Sequence, residues 1–264
     1  MTDERDAVTI SGTDDGHEEG GVRRRSRRKR DQRPFWQELP LLVVTAAVIA
    51  ALVVNFLGRP YVIPSQSMEP TLHGCAGCTG DRIYVERLSY DFGSPQQGDV
   101  VVFKAPTSSW DRDWHSTRSR NAIIGGIENF FSIFGLAAPD ENDLVKRVIA
   151  VGGQTVQCCD AQGNIEIDGK RANEHYGHYT FPYQPGLPFA VKTADGLSVN
   201  PAGREFGPVR IPEGFIWAMG DNRNESLDSR GHIDDQYSGA VPISNIRGKA
   251  VFRIWPPNRI GPIH

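Results

Sequence analysis

Two serines one residue apart between two prolines, in Pro64-Ser65-Gln66-Ser67-Met68-Glu69-Pro70-Thr71-Leu72, are the side chains best placed to attack a carbonyl. Each proline fixes its own φ and biases the residue before it towards extended backbone, so the stretch is predicted to be stiff and non-helical. Along an extended chain Ser65 and Ser67 project to the same side. One hydroxyl could then attack while the other donates to the oxygen that gains charge. A serine hydroxyl is a weak nucleophile until something removes its proton.

Lys146 is the candidate base. It sits in Leu144-Val145-Lys146-Arg147-Val148-Ile149-Ala150-Val151, a strand apolar enough to be covered on both faces. Burial disfavours the ammonium form and lowers its pKa. From about 10.4, reaching about 7–8 takes roughly 4 kcal/mol, and lysines desolvated in this way do act as bases. The plain alternative is a strand lysine on a polar face. A third stretch, Gly220-Asp221-Asn222-Arg223-Asn224-Glu225-Ser226-Leu227-Asp228-Ser229-Arg230-Gly231, follows the apolar run Phe215–Met219. Its acids and arginines either decorate a surface loop or pair into a rigid one that presents Ser226 to a neighbouring amine.

The elements that must position these groups read mainly as strands. Arg82–Arg87 alternates apolar and polar side chains, and Val100–Lys104, Leu144–Val151, Phe215–Met219 and Lys249–Trp255 are β-rich. Asn164–Lys170 carries the Asp168-Gly169 signal of a tight hairpin. The expected fold is mainly β, a largely antiparallel domain with two insertions. Residues 105–141 place Ile123, Ile124, Ile127, Phe130, Phe131 and Phe134 on one helical face, with Trp110 and Trp114 upstream. That face either packs on the β domain or lies in a membrane interface. Residues 171–210 are rich in Pro, Gly and Tyr and read as a loop-heavy subdomain.

At 264 residues and a net charge of −3, the whole chain has no nucleic-acid-binding character. Charge is concentrated at the amino terminus, where an acidic, polar stretch precedes Arg23-Arg24-Arg25-Ser26-Arg27-Arg28-Lys29-Arg30. Such a run can bind nucleic acid, but its position suggests a topological signal. Leu39–Leu57 follows, apolar except for Pro40, Thr45 and Asn55 and about as long as a bilayer core is thick. Phe35 and Trp36 stand at its near end as aromatic anchors. Pro40 is expected in the first helical turn. Residues 1–33 are therefore expected to be a disordered cytoplasmic tail, 34–58 a transmembrane helix, and 59–264 an extracytoplasmic catalytic domain at the cell membrane. The four cysteines, Cys75, Cys78, Cys158 and Cys159, suit structural disulfides in an oxidising compartment, with pairing open. Zinc ligation and thioredoxin-like redox chemistry lack the expected spacing and context.

Taken together, the boxes around Ser67, Gly98-Asp99-Val100-Val101-Val102-Phe103, Lys146-Arg147-Val148, and Gly220-Asp221-Asn222 through Ser226, Asp228, Ser229 and Arg230 resemble bacterial type I signal peptidases. They occur in that family's order behind one apolar run, as in its single-span Gram-positive or actinobacterial members. The resemblance implies Ser67 as nucleophile, Lys146 as general base, and Ser226 as the group that orients the lysine amine. It implies an oxyanion hole of Ser65 Oγ and the Ser67 backbone N–H. Arg147, Asp221, Asp228 and Arg230 match structural and orienting positions, and Ile63, Leu72 and Val145 match substrate-pocket positions. It further implies an SH3-like barrel architecture shared with self-cleaving repressors, no metal or cofactor, and preprotein substrates met at the membrane lipid surface.

Three other readings fit less well. A penicillin-interacting Ser–Lys hydrolase would carry Ser-x-x-Lys on a helix with Ser-Asp-Asn and Lys-Thr-Gly elsewhere, and this chain has neither Ser-Asp-Asn nor Lys-Thr-Gly. A membrane-anchored β domain that only binds partners would leave Ser65, Ser67 and Lys146 as turn and strand residues. A self-cleaving repressor would place a DNA-binding region where the apolar run stands.

Overall fold

The computed structural model describes residues 35–52, 58–75, 80–111, 124, 143–193 and 196–264. The chain divides into two units, Met1–Leu42 and Val43–His264, with the boundary inside helix α1 (Phe35–Leu52). Helix α1 begins earlier than the apolar run, so Pro40 falls in its second turn rather than its first. Among the described residues no helix is long and apolar enough to cross a membrane. The first turn carries Gln37 and Glu38, and residues 39–52 rise about 21 Å against the roughly 30 Å of a bilayer core. The rest of the expected span, residues 53–57, lies outside the described residues, as does the tail 1–33.

The second unit is mainly β, and every ladder in it is antiparallel. Its first strands are β1 (Gly58–Val62), β2 (Arg82–Glu86), β3 (Val100–Lys104), β4 (Asp143–Val151), β5 (Thr155–Cys158), β6 (Ile165–Ile167) and β7 (Lys170–Arg171). There follow β8 (Ala190–Thr193), β9 (Gly196–Val199), β10 (Phe206–Arg210), β11 (Phe215–Met219), β12 (Val241–Pro242), β13 (Ile246–Trp255) and β14 (Gly261–Pro262). The large sheet has the order β1-β2-β13-β3-β4-β11-β12, with β14 added on β13. Its two ends, β1 and β12, do not pair with each other among the described residues, so the ladders form an open sheet rather than a closed barrel. A second sheet, β10-β5-β6-β7, and the hairpin β8-β9 complete the unit.

Strand β3 shows why the large sheet is covered on both sides. Val100 and Val102 pack with Ile63, Leu72, Ile83 and Val85, while Val101 and Phe103 pack with Val148, Ile216 and Ala218. Its alternate side chains must point to opposite faces, and both faces are apolar. A third cluster joins the sheets, with Ile149, Trp217 and Met219 meeting Val156, Ile165 and Phe206. Asp168 and Gly169, at φ 51° and 71°, take the left-handed conformations of the expected two-residue turn between β6 and β7.

Segment 171–210 is less irregular than its composition suggests, since it holds β8, β9 and β10. Most of insertion 105–141 lies outside the described residues. Trp110, however, belongs to the core: its ring stacks on His232 at 4.0 Å and its indole N–H donates to Asp235 Oδ2 at 3.1 Å. Cys158 and Cys159 are joined to each other in a disulfide, and Cys75 is also disulfide-bonded. Cys78 lies outside the described residues.

Candidate active site

The serine box is extended only at its start. Ser65 has φ −133° and ψ 160°, but Gln66–Met68 form one turn of 3-10 helix, closed by a hydrogen bond from Glu69 N to Gln66 O at 3.0 Å. The expectation of non-helical backbone fails at these three residues because Met68 is drawn into the core, where it is 1% exposed. The turn still leaves Ser65 Oγ and Ser67 Oγ 3.2 Å apart.

Strand β4 supplies the amine. Its first half pairs with β3, Val101 opposite Lys146, and its second half pairs with β11 from Arg147 onward. Lys146 is 4% exposed, and its Nζ lies 2.7 Å from Ser67 Oγ. Burial is the largest influence on the amine and draws its pKa down from 10.5 to about 8. The carboxylates of Asp228 and Asp221 oppose that shift and the Arg230 guanidinium adds to it.

The polar stretch 220–231 is a buried loop, not a surface one. Arg147 grips Asp221 with two parallel hydrogen bonds, Nε to Oδ1 at 2.8 Å and Nη2 to Oδ2 at 2.7 Å, and its Nη1 donates to Gly98 O at 2.8 Å. Asp228 is paired in the same way with Arg230, at 2.9 and 2.8 Å, and accepts Gly220 N at 3.0 Å. Burial alone would raise the Asp228 pKa, but the Arg230 charge and hydrogen bonds more than offset it, and the carboxyl sits below its ordinary range. Charges this deep are tolerable only when paired and hydrogen-bonded. The two fork-shaped pairs give the loop its rigidity.

That loop fixes the nucleophile's backbone. Asn222 N donates to Ser67 O at 3.1 Å and Asn222 Nδ2 to Gln66 O at 3.3 Å. Thr71 Oγ1 donates to Asp221 Oδ2 at 2.5 Å. Gly220 lies against the Ser67 carbonyl and the Ser226 hydroxyl, with no room for a Cβ.

The sequence-derived site residues divide into three groups. Ser65, Ser67, Lys146, Arg147, Asp221, Asp228 and Arg230 are brought together as described. Ser226 is buried beside Gly220, and its hydroxyl helps hold the Asp228 pKa down, but the expected bond to the Lys146 amine is not formed. The amine instead meets Ser67 Oγ. Ile63, Leu72 and Val145 share one apolar cluster, in which Ile63 and Leu72 are core residues and only Val145 is half-buried. Sequence reasoning missed Asn222, Thr71 and the Glu174–Arg223 ion pair. Asn222 stood within a recognised box, whereas Glu174 lies far off in the inserted segment with no fixed spacing to reveal it.

A buried lysine amine with a lowered pKa at hydrogen-bond distance from a serine hydroxyl, with a second hydroxyl alongside, is chemically the arrangement of a serine hydrolase that uses lysine as its base. Residues 36–255 match the family model for signal peptidase, peptidase S26. The chain is 48% identical over 235 residues to the signal peptidase I of Mycobacterium tuberculosis (strain H37Rv), covering 87% of this chain and 76% of that one. It is equally similar to the probable signal peptidase I of Mycobacterium leprae, 48% identical over 85% of this chain and 78% of that one. The probable signal peptidase I-1 of Synechocystis is 35% identical over 85% of each chain. The chain belongs to the signal peptidase (peptidase S26) family.

Proposed function

We propose that this chain is a membrane-bound serine endopeptidase that removes amino-terminal signal peptides from exported preproteins. The observation that carries the reading is the 2.7 Å contact between the buried Lys146 amine and Ser67 Oγ. With a pKa of about 8, the amine is neutral in a useful fraction of molecules at pH 7, at a cost of about 1.4 kcal/mol. Neutral Lys146 takes the Ser67 proton as Oγ attacks the scissile carbonyl. The Ser67 N–H and Ser65 Oγ–H donate to the oxyanion. Lys146 then hands its proton to the leaving amine, and an acyl-enzyme remains on Ser67. The amine next takes a proton from water, whose attack on the ester frees the signal peptide and restores Ser67. Ser226 turns its hydroxyl towards the Lys146 amine as the lysine changes charge.

Substrate enters as an extended strand beside β4, with Ile63, Leu72 and Val145 as the apolar walls that favour small side chains. Ile63 and Leu72 shape that wall from behind, and Val145 provides its surface. Residues 39–57 anchor the chain, with 1–33 cytoplasmic and 59–264 outside. Leu42, Val43, Val44, Val48 and Ile49 on α1 are each more than half exposed, a helix surface suited to lipid.

The test is direct. A detergent extract containing the chain is incubated with a preprotein, and the new amino terminus is located for wild type, Ser67→Ala and Lys146→Ala. Cleavage after the signal peptide, lost in both variants, supports the reading. Cleavage that survives Ser67→Ala sinks it. Carbonate extraction of whole membranes tests the anchor, and release of the chain into the supernatant would contradict it.

A further inference from the structure

The inserted segment 171–210 holds the loop that holds the nucleophile, through a contact outside the residues that carry the catalytic chemistry. Arg223 is 1% exposed. Its Nη2 and Nη1 donate to the two carboxylate oxygens of Glu174 at 2.6 and 3.0 Å. Nη1 also donates to Tyr179 Oη at 3.2 Å, and Nε to the carbonyl of Gly220 at 3.0 Å. The backbone closes the same junction, with His178 N donating to Asp221 O at 2.7 Å and Arg223 N to His178 O at 2.9 Å. Gly177 packs on the guanidinium so closely that a Cβ would come within 2.9 Å of it.

We propose that Glu174, Tyr179 and Arg223 form a clamp that positions Ser67 for attack, so that the inserted segment is part of the catalytic apparatus. The coupling runs through a short, rigid route. The clamp fixes the Gly220 carbonyl and the Asp221–Arg223 backbone, and Asn222 N then holds Ser67 O. A guanidinium used for three partners at once keeps one orientation, which a lysine could not do. Gly220 also abuts Ser67 O and Ser226, so a slackened clamp lets the hydroxyl and the amine drift apart. Misplacement on the ångström scale costs up to about 10²-fold in rate. None of the three clamp residues belongs to the proposed substrate wall of Ile63, Leu72 and Val145, so the effect is expected in kcat rather than KM.

This inference rests on the peptidase reading, and the two fail separately. Wild-type cleavage that disappears in Ser67→Ala tests the reading, whereas ratios of variants to wild type test the clamp. The full chain is assayed in detergent on one preprotein, with rates expressed per folded molecule from circular dichroism at the assay temperature. Glu174→Gln keeps the shape of the side chain and removes its charge. We expect its kcat to fall at least about tenfold with KM unchanged. Tyr179→Phe removes a single hydrogen bond and should fold normally, with kcat reduced about threefold. Glu205→Gln serves as control, because Glu205 binds Tyr183 and Gly186 of the same segment away from the clamp. It should keep wild-type kcat per folded molecule. Wild-type kcat per folded molecule in both Glu174→Gln and Tyr179→Phe would overturn the proposal, as would an equal loss in Glu205→Gln. Should Glu174→Gln not fold, Tyr179→Phe decides alone: unchanged kcat overturns it and reduced kcat at constant KM supports it.

Discussion

Gly220 is pressed between the carbonyl oxygen of Ser67 and the hydroxyl of Ser226, and no side chain larger than hydrogen fits there. The contact ties the turn that carries the nucleophile to the end of β11, from which the buried polar loop departs. Gly220→Ala must displace one or the other. Overpacking of this kind costs about 1–3 kcal/mol, and the shift falls on the reacting hydroxyl. The expected outcome is a lowered thermal midpoint together with a kcat reduced at least about tenfold. Calorimetry and preprotein cleavage on the same preparation check both, and a variant with wild-type kcat would show that the contact does not position Ser67.

Ser65 Oγ lies 3.2 Å from Ser67 Oγ and is exposed at the mouth of the site. It has little to contribute to the fold and much to a developing oxyanion. Ser65→Ala should unfold at the wild-type temperature and lose about 10²–10³ in kcat. A loss confined to KM would assign Ser65 to substrate binding instead.

Ser226 separates stability from catalysis. Its hydroxyl makes no well-formed hydrogen bond in the resting site but lies close enough to Asp228 to help hold that carboxyl's pKa down, so it adds little to the fold. Ser226→Ala should therefore stay close to the wild type in thermal midpoint. If the hydroxyl turns to the Lys146 amine during reaction, as proposed, kcat nevertheless falls at least about tenfold. Unchanged kcat would remove Ser226 from the mechanism.

Lys146 carries a stability signature of its own. Its folded pKa of about 8 lies below its ordinary 10.5, so the folded protein holds the charged amine at a penalty. The penalty is complete below pH 8, and relief comes as pH rises from about 8 to 10.5, where only the unfolded chain keeps the proton. Its size is on the order of 3 kcal/mol. Lys146→Met should be inactive yet more stable than wild type at pH 7, with the difference shrinking above pH 8. Denaturant unfolding of both proteins at pH 7 and pH 10 measures it. A constant difference would mean that the amine is not desolvated.

Much of this was readable from the residues, for physical reasons that differ by element. The burial of Lys146 followed from an apolar run too continuous for a one-sided strand, and the turn at Asp168-Gly169 from two residues that tolerate positive φ. The 3-10 turn at Gln66–Met68 was not readable, because the prolines constrain only their own neighbours and Met68 is pulled inward by a core assembled from distant strands. For the loop at Gly220–Gly231 composition left surface decoration and rigid pairing equally open, because it does not record which charges meet: Asp221 and Asp228 find arginines in the interior, whereas Glu225 stays exposed. The clamp was hidden for a related reason. Glu174 and Arg223 are far apart in sequence, and their ion pair depends on a segment whose Pro, Gly and Tyr content suggested loop. The start expected for the first helix, residue 34, lies one residue from the observed Phe35, because the aromatic pair Phe35-Trp36 marks the near end of the apolar run.

The central claim is that one dry amine, uncharged, activates Ser67. The measurement that reaches it most directly is the pH dependence of kcat for preprotein cleavage between pH 5 and 10, in wild type. The rate should climb about tenfold per pH unit below the lysine's pKa and level off above about pH 8. A profile flat from pH 5 to 9, or one that turns over near the ordinary range of a carboxylate or histidine, would contradict it.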